Sequence, residues 1–446
     1  MAGAPGDLAS EDRPSWGARS RFALGVALVA VLAAAFAVGF RVSLSFALRS
    51  LSGASDVVSA MRDAPRWARL LAPALGGLAG GAVSLLVARA REGQGVSNVM
   101  EAVVLGVVRL PMRVTLLKSA ASWLAIASGG SIGREGPLIQ FGGAAGKLVG
   151  DRLGLDTEQT RLLIAAGTAA GFSAAYNTPF AAVLFVLEVV TGVVVLDAVL
   201  PVLIATVIAT EITRAVVGAG PIYGQRAFQM QGPLELAAFA GLGLFAALTA
   251  QGFMRALSFG ESQFRRERLT LPWRPALGGA LAGACLIFLP EVAGNGYEPL
   301  NGLIDAHYSV GFVALLLLGK CLATTASVSS GNPGGVFTPT LLVGGAVGFL
   351  YASALAALGI ATGPPGGYAL VGMAAATAAT THAPLMAAVM VFELSGDYAI
   401  VLPLVLATAL ATLVSRALRR DSIYTAELRQ RGVGWELTLE GRRVVE

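Results

Sequence analysis

Five consecutive residues carry the first chemistry of the chain. Gly133-Arg134-Glu135-Gly136-Pro137 sets two opposite charges inside an otherwise apolar run. At bilayer depth each ionisable side chain costs about 2.5–3.5 kcal/mol on insertion scales, a cost usually retained for function. Pro137 suits the first turn of a helix, where its missing N–H would be unpaired anyway. The flanking glycines let backbone amides come close to a ligand. A helix starting here presents free N–H groups and the positive end of its dipole, which is an anion site. Glu135 is then a carboxylate at a place built for anions: charged, it competes with a permeating anion, and burial favours the proton that would release it. The plainer alternative is a buried structural ion pair between Arg134 and Glu135, and Arg134 suits a structural role in either case.

Gly335-Val336-Phe337-Thr338-Pro339 repeats the design, presenting the N–H groups of Val336 and Phe337 at another helix start, although a simple kinked helix would read the same way. Gly93-Gln94-Gly95-Val96-Ser97-Asn98 is a third Gly-rich approach to a helix, with Asn98 and Glu101 spaced as a capping box; taken alone it equally fits an ordinary loop. Other signals are weaker. FGGAAGKL around Lys147 lacks the first Gly and the final Ser or Thr of a phosphate loop, and Gly142, Gly146 and Gly150 suit close helix packing instead. His307 and His382 are isolated, Cys285 and Cys321 lie in apolar stretches, and no hydrolytic motif is present. No metal, cofactor or enzymatic activity is expected.

The elements that must position these groups follow from composition. With 446 residues, 55% of them apolar and 13% charged, and a mean hydropathy of +0.71, the chain has too few polar side chains to cover a water-facing surface. Soluble domains carry roughly 25% charged residues. The excess must face lipid, so the reading is an all-α polytopic membrane protein. The net charge of +5 comes without basic runs interleaved with aromatics, which excludes a nucleic-acid groove and fits positive-inside bias. Arg13 to Arg21, Arg255 to Arg274 and Arg416 to Arg443 are expected on the cytoplasmic side, while Arg41 to Arg69 leaves the first third unoriented by charge. Arg21 to Phe40 reads as an uncleaved helix, not a signal peptide.

Two apolar segments, Pro137 to Gly150 with 14 residues and Pro384 to Leu394 with 11, are too short to span and read as broken or re-entrant helices. They belong to an internal repeat. GREGPLIQFGGAAGKL (133–148) resembles GGVFTPTLLVGGAVGFL (334–350), and Pro179 and Glu188 find counterparts 205 residues on, at Pro384 and Glu393. Inverted-topology repeats with Gly/Pro-broken segments point to a transporter's midplane site. The expected organisation is a cytoplasmic tail over 1–20 and a transmembrane domain over 21–420, with repeats at about 68–218 and 275–417. A short cytoplasmic segment over 421–446 follows, too short for a regulatory domain.

The three motifs, in this order from Gly93 to Tyr424, resemble the CLC family of chloride channels and chloride/proton antiporters, in its bacterial form without cytoplasmic regulatory domains. The second and third motifs are present whole. The first, usually Gly-Ser-Gly-Ile-Pro, aligns as GQGVS, with Gln94 at the pore serine and Ser97 at the proline. The resemblance implies that Glu135 is the gating glutamate and that the anion path includes Gln94, Gly95, Val96, Ser97, Gly136 and the amides of Val336 and Phe337. It implies that the Tyr424 hydroxyl contacts the ion; an interfacial aromatic is the alternative. Arg134, Pro137, Gly335 and Pro339 would support the site. Glu188 matches the first of two adjacent antiporter glutamates and is a candidate on a proton path, but Val189 occupies the second position, as in channels. Glu188 and Glu393, related by the repeat, suit buried hydrogen-bonding roles better than proton carriage.

The expected function is chloride transport by a glutamate-gated channel, with a proton-coupled antiporter as the rival. A fluoride/proton antiporter is suggested by the missing serine and opposed by Tyr424; a sodium-coupled solute carrier is the rival of another class. Expected partners are chloride or other small anions, protons in the antiporter reading, lipid, and a second copy in a homodimer. An excess of Arg over Lys with abundant Ala suggests a GC-rich bacterial genome, hence an inner membrane.

Overall fold

The protein is described by a computed structural model over residues 16–87, 95–105, 110–193, 196–224, 226–228, 230–266, 270–438 and 441–445. A chain in lipid must satisfy its backbone polar groups internally, and the apolar runs do so as helices. Among the described residues, seven helical stretches are long and apolar enough to cross a membrane. Large apolar side chains such as Leu24, Phe46, Leu200 and Leu318 point outward, as a lipid-facing surface requires.

Helix α1 (Trp16–Ser52) runs 37 residues, well past the expected Arg21–Phe40 run at both ends, because the flanking sequence holds no proline or helix-breaking glycine pair. The short α2 (Val57–Asp63) follows, its first turn capped by Asp56. Seven helices come next: α3 (Arg66–Leu85), α4 (Val96–Leu105), α5 (Met112–Ala127), α6 (Glu135–Leu153), α7 (Thr157–Tyr176), α8 (Pro179–Leu184) and α9 (Leu196–Val217). Helix α8 runs on as a π-helical segment over Phe185–Thr191. Helix α10 (Glu235–Arg266) leads to a second seven in the same order of long and short pieces. They are α11 (Trp273–Phe288), α12 (Tyr297–Ile304), α13 (Val310–Ser329), α14 (Phe337–Ala357), α15 (Pro365–Thr381), α16 (Pro384–Ser395) and α17 (Val401–Leu418). After them stand α18 (Ile423–Gln430) and an antiparallel hairpin, β1 (Gly434–Thr438) with β2 (Gly441–Val445), in register Gly434 opposite Val445. The hairpin is a small β addition to a helical chain.

Contacts between the two sets of seven are reciprocal. A Cβ on Gly77 of α3 would overlap the carbonyl of Pro275, and one on Gly279 of α11 would overlap the carbonyl of Pro73. Contacts in which i meets j′ and j meets i′ are the signature of a two-fold relation. The same pairing recurs inside each set. Gly142 and Gly167 press on each other's carbonyls between α6 and α7, as Gly344 and Gly372 do between α14 and α15. The glycines at 142 and 146 thus serve helix packing, as their spacing implied.

Backbone at the broken helices is duplicated too. Asn177 ends α7 at φ 59° and His382 ends α15 at φ 59°, each in the left-handed region, and the next residues, Thr178 and Ala383, turn the chain at ψ 79° into a helix begun by proline. Helix α6 is longer than the expected 14 residues: it starts two residues before Pro137, whose absent amide has no partner to lose there, and ends at left-handed Gly154.

Gly142→Val forces a branched side chain onto the Gly167 carbonyl, so the thermal unfolding midpoint should fall by several degrees, the response to overpacking of about 1–3 kcal/mol. Gly39→Ala, where nothing lies within 4 Å of the new methyl, should leave the midpoint unchanged.

Candidate functional site

Helices α6 and α14 begin at the same place. The segments leading into them pair as a minimal antiparallel bridge, the Gly133 amide donating to the Gly335 carbonyl at 2.7 Å and the Gly335 amide to the Gly133 carbonyl at 2.8 Å. Arg134 and Val336 hold the two N-cap positions, Glu135 and Phe337 are the first helical residues, and Pro137 and Pro339 the third. The two starts share their Gly and Pro ends, and the charged Glu135 of one takes the position that Phe337 holds in the other.

That charge lies in the donors of the opposite helix. Oε1 of Glu135 accepts from the amides of Phe337 at 2.8 Å and Thr338 at 3.3 Å, and Oε2 accepts from the Thr338 hydroxyl at 3.0 Å. The carboxylate is buried, and a Cβ placed on Gly133 or Gly335 would overlap it. Glycine is required at both positions because the carboxylate fills the space between them. Tyr176 adds an outer partner, its hydroxyl 2.9 Å from Thr338 Oγ1.

Arg134 does not pair with Glu135. Its guanidinium stands over the Tyr297 ring, 5.3 Å from the centroid, in a cluster where Tyr176 and Tyr223 also meet Tyr297. The ion-pair alternative is therefore not the arrangement adopted, because backbone amides at a helix start already satisfy the carboxylate.

A cavity of about 590 Å³ collects most of the expected site: Gly95 and Val96 from the first motif, Glu135, Gly136 and Pro137 from the second, Gly335 and Val336 from the third, and Tyr424 of α18. Left-handed Gly95, at φ +75°, turns the chain into α4 and gives its amide to Gln140 Oε1 at 2.9 Å, which ties the first motif to the second. Tyr424 is buried and meets Phe185 edge-on at 6.5 Å. Ser97 is fully buried; its hydroxyl donates to Glu427 Oε2 at 2.7 Å. Gln94 lies outside the described residues. The Val336 and Phe337 amides are the expected lining of an anion site; the Glu135 carboxylate itself takes the amides of Phe337 and Thr338. Thr338, Tyr176, Gln140 and Glu427 carried no sequence signal, since each is ordinary in type and earns its place only by what lies opposite.

Glu188 and Glu393 are helix caps exchanged between the repeats. Glu188 accepts from the amides of Leu385 and Met386 at 3.2 and 2.6 Å, at the start of α16; Glu393 accepts from those of Phe180 and Ala181 at 3.1 and 2.8 Å, at the start of α8. Val189 is buried beside Glu188.

The Glu135 carboxylate is held by amides and a hydroxyl with no cationic side chain on it, and these are donors of the kind that also bind small anions. Residues 76–416 match the family described as voltage gated chloride channel. A ClcB-like protein of Ralstonia nicotianae is 39% identical over 384 residues, 85% of this chain and 90% of its own length. The voltage-gated ClC-type chloride channel ClcB of Escherichia coli is 35% identical over 412 residues, 90% of this chain and 97% of its own. Among solved structures, a slow cyanobacterial Cl−/H+ antiporter superposes with a TM-score of 0.81 at 26% identity, covering 92% of this chain and 98% of that one. A CLC-type fluoride/proton antiporter gives 0.74 at 23% identity over the same shares, a likeness of fold.

Glu188→Ala and Glu393→Ala each leave two amides at a helix start without their partner. Both should lower stability by a similar amount, about 1–3 kcal/mol, read as matched drops in thermal midpoint. A much smaller drop for Glu188→Ala would remove it from the capping role.

Proposed function

The chain belongs to the voltage-gated chloride channel family, the CLC family, and is an integral membrane protein that transports anions and not an enzyme; on that premise we propose that it is a chloride channel gated by Glu135. The observation that carries this reading is the Glu135 carboxylate seated on the amides of Phe337 and Thr338 and the Thr338 hydroxyl. Those are the donors a dehydrated chloride would use, so carboxylate and chloride exclude each other there. Chloride passes when the side chain is protonated or displaced and leaves the helix start vacant. Tyr424, in the same cavity, offers a neutral O–H to the ion on its way. Helix termini supply partial charges, which hold an anion loosely enough for turnover.

A channel is favoured over an antiporter by two features of the chain and by the name of one relative. Val189 stands where family antiporters commonly carry their second glutamate, and Glu188 already caps α16. The Escherichia coli relative is named a channel. Proton coupling is the second reading, supported by the likeness to the cyanobacterial Cl−/H+ antiporter. The proposed assembly is a homodimer with one pathway per subunit, in a bacterial inner membrane like those of its bacterial relatives. Gln94 in place of the pore serine is expected to tune selectivity among small anions.

Proton movement into sealed liposomes, driven only by a chloride gradient with the voltage clamped by potassium and valinomycin, decides between the readings. Chloride flux without proton movement is the expected result, and uphill proton movement would make the protein an antiporter. In the same liposomes wild-type chloride flux should rise as pH falls. Glu135→Gln should carry chloride at the acid-activated rate at every pH, because the amide mimics the protonated gate; a retained pH dependence would sink the gating role. Tyr424→Ala should weaken chloride binding about tenfold by calorimetry, the loss of roughly one hydrogen bond of 1.4 kcal/mol to a charged partner.

A further inference from the structure

Ser97 and Glu427 form a contact that the gating scheme leaves unused. Glu427 stands on α18 one turn beyond Tyr424, and its side chain lines the cavity that also holds Glu135. Ser97, in the first turn of α4, donates its hydroxyl to one carboxylate oxygen at 2.7 Å, with the Tyr424 carbonyl farther away at 3.3 Å. The other oxygen is held by the Arg431 guanidinium. Arg431 also donates to Asn98 Oδ1 at 2.6 Å and lies 4.0 Å from Glu101, so it is anchored to α4. Across the cavity, Glu261 is engaged by Gln430 at 3.1 Å and Arg265 at 3.5 Å, while Lys118, Arg274 and Arg419 add positive charge to the wall.

The arrangement repeats the logic of Glu135 at a second helix start. A tethered carboxylate takes a hydroxyl and a charged donor that a small anion would also take, since charge-assisted donors accept chloride and carboxylate alike. We propose that Glu427 is a second tethered carboxylate of the ion pathway, seated on Ser97 and Arg431 at the α4 end of the cavity, where it competes with chloride moving to or from Tyr424. The inference rests on the anion-pathway reading above. It gives the departure at Ser97 a purpose: a proline at that position could not hold the carboxylate.

The test is isotopic chloride exchange by the purified full-length protein in liposomes at low chloride, a measurement indifferent to sidedness. Glu427→Gln should raise the exchange rate about three- to tenfold, the effect of removing one unit charge a few ångströms from the ion. The gain should shrink when ionic strength is raised with an impermeant salt. Glu427→Asp, which keeps the charge, should stay within about twofold of wild type. Ser97→Ala should raise exchange in the same direction by less, and it carries the test if Glu427→Gln does not elute as a folded species. Folded Glu427→Gln protein exchanging at the wild-type rate at both ionic strengths would overturn the proposal. So would a loss of exchange shared by the Gln and Asp variants, which would assign Glu427 to holding α18 in place. A wild-type protein that exchanges no chloride would instead overturn the transport reading, before any variant is compared.

Discussion

The carboxylate of Glu135 on the N-terminus of α14 is the contact around which the site is arranged. A helix start at membrane depth has amides that no water reaches, and leaving them unpaired is costly. A buried carboxylate has the opposite need. The two satisfy each other only if α6 and α14 begin at the same place, and the bridge between Gly133 and Gly335 holds them there. The glycines on either side are then compulsory, because the charged group occupies the volume their side chains would take.

The two-fold relation explains how broken helices survive in lipid. Each repeat ends a helix at a left-handed residue, turns, and starts a short helix with proline, and the exposed amides of that start are capped by a glutamate from the other repeat. Capping across the pseudo-symmetry makes each half depend on the other for its backbone hydrogen bonds. The two-fold relation fails at the carboxylate. Glu135 faces Phe337 across the bridge, so one helix start supplies the carboxylate and the other its seat. Tyr424 comes from α18, which follows both repeats and has no counterpart after the first among the described residues.

Much of the protein was legible from residue order alone. Apolar excess required lipid, glycine spacing along α6 implied close helix packing, and the Gly-x-x-x-Pro pair identified both helix starts, because local backbone chemistry leaves few other uses for those residues in apolar sequence. The 205-residue offset of Glu188 and Glu393 revealed the duplication. Their capping role was one of two open readings, since nothing local tells a cap from a proton carrier.

Partners across the chain were decided by tertiary structure. The pairing of Arg134 with the Tyr297 ring, the reach of Glu135 to Thr338, and the meeting of Ser97 with Glu427, 330 residues apart in sequence, depend on where helices far apart in the chain come to lie. Helix starts are written in the sequence because prolines, glycines and backbone amides act within one turn. Which side chain fills a helix start is settled only when the fold brings the competitors within hydrogen-bond reach.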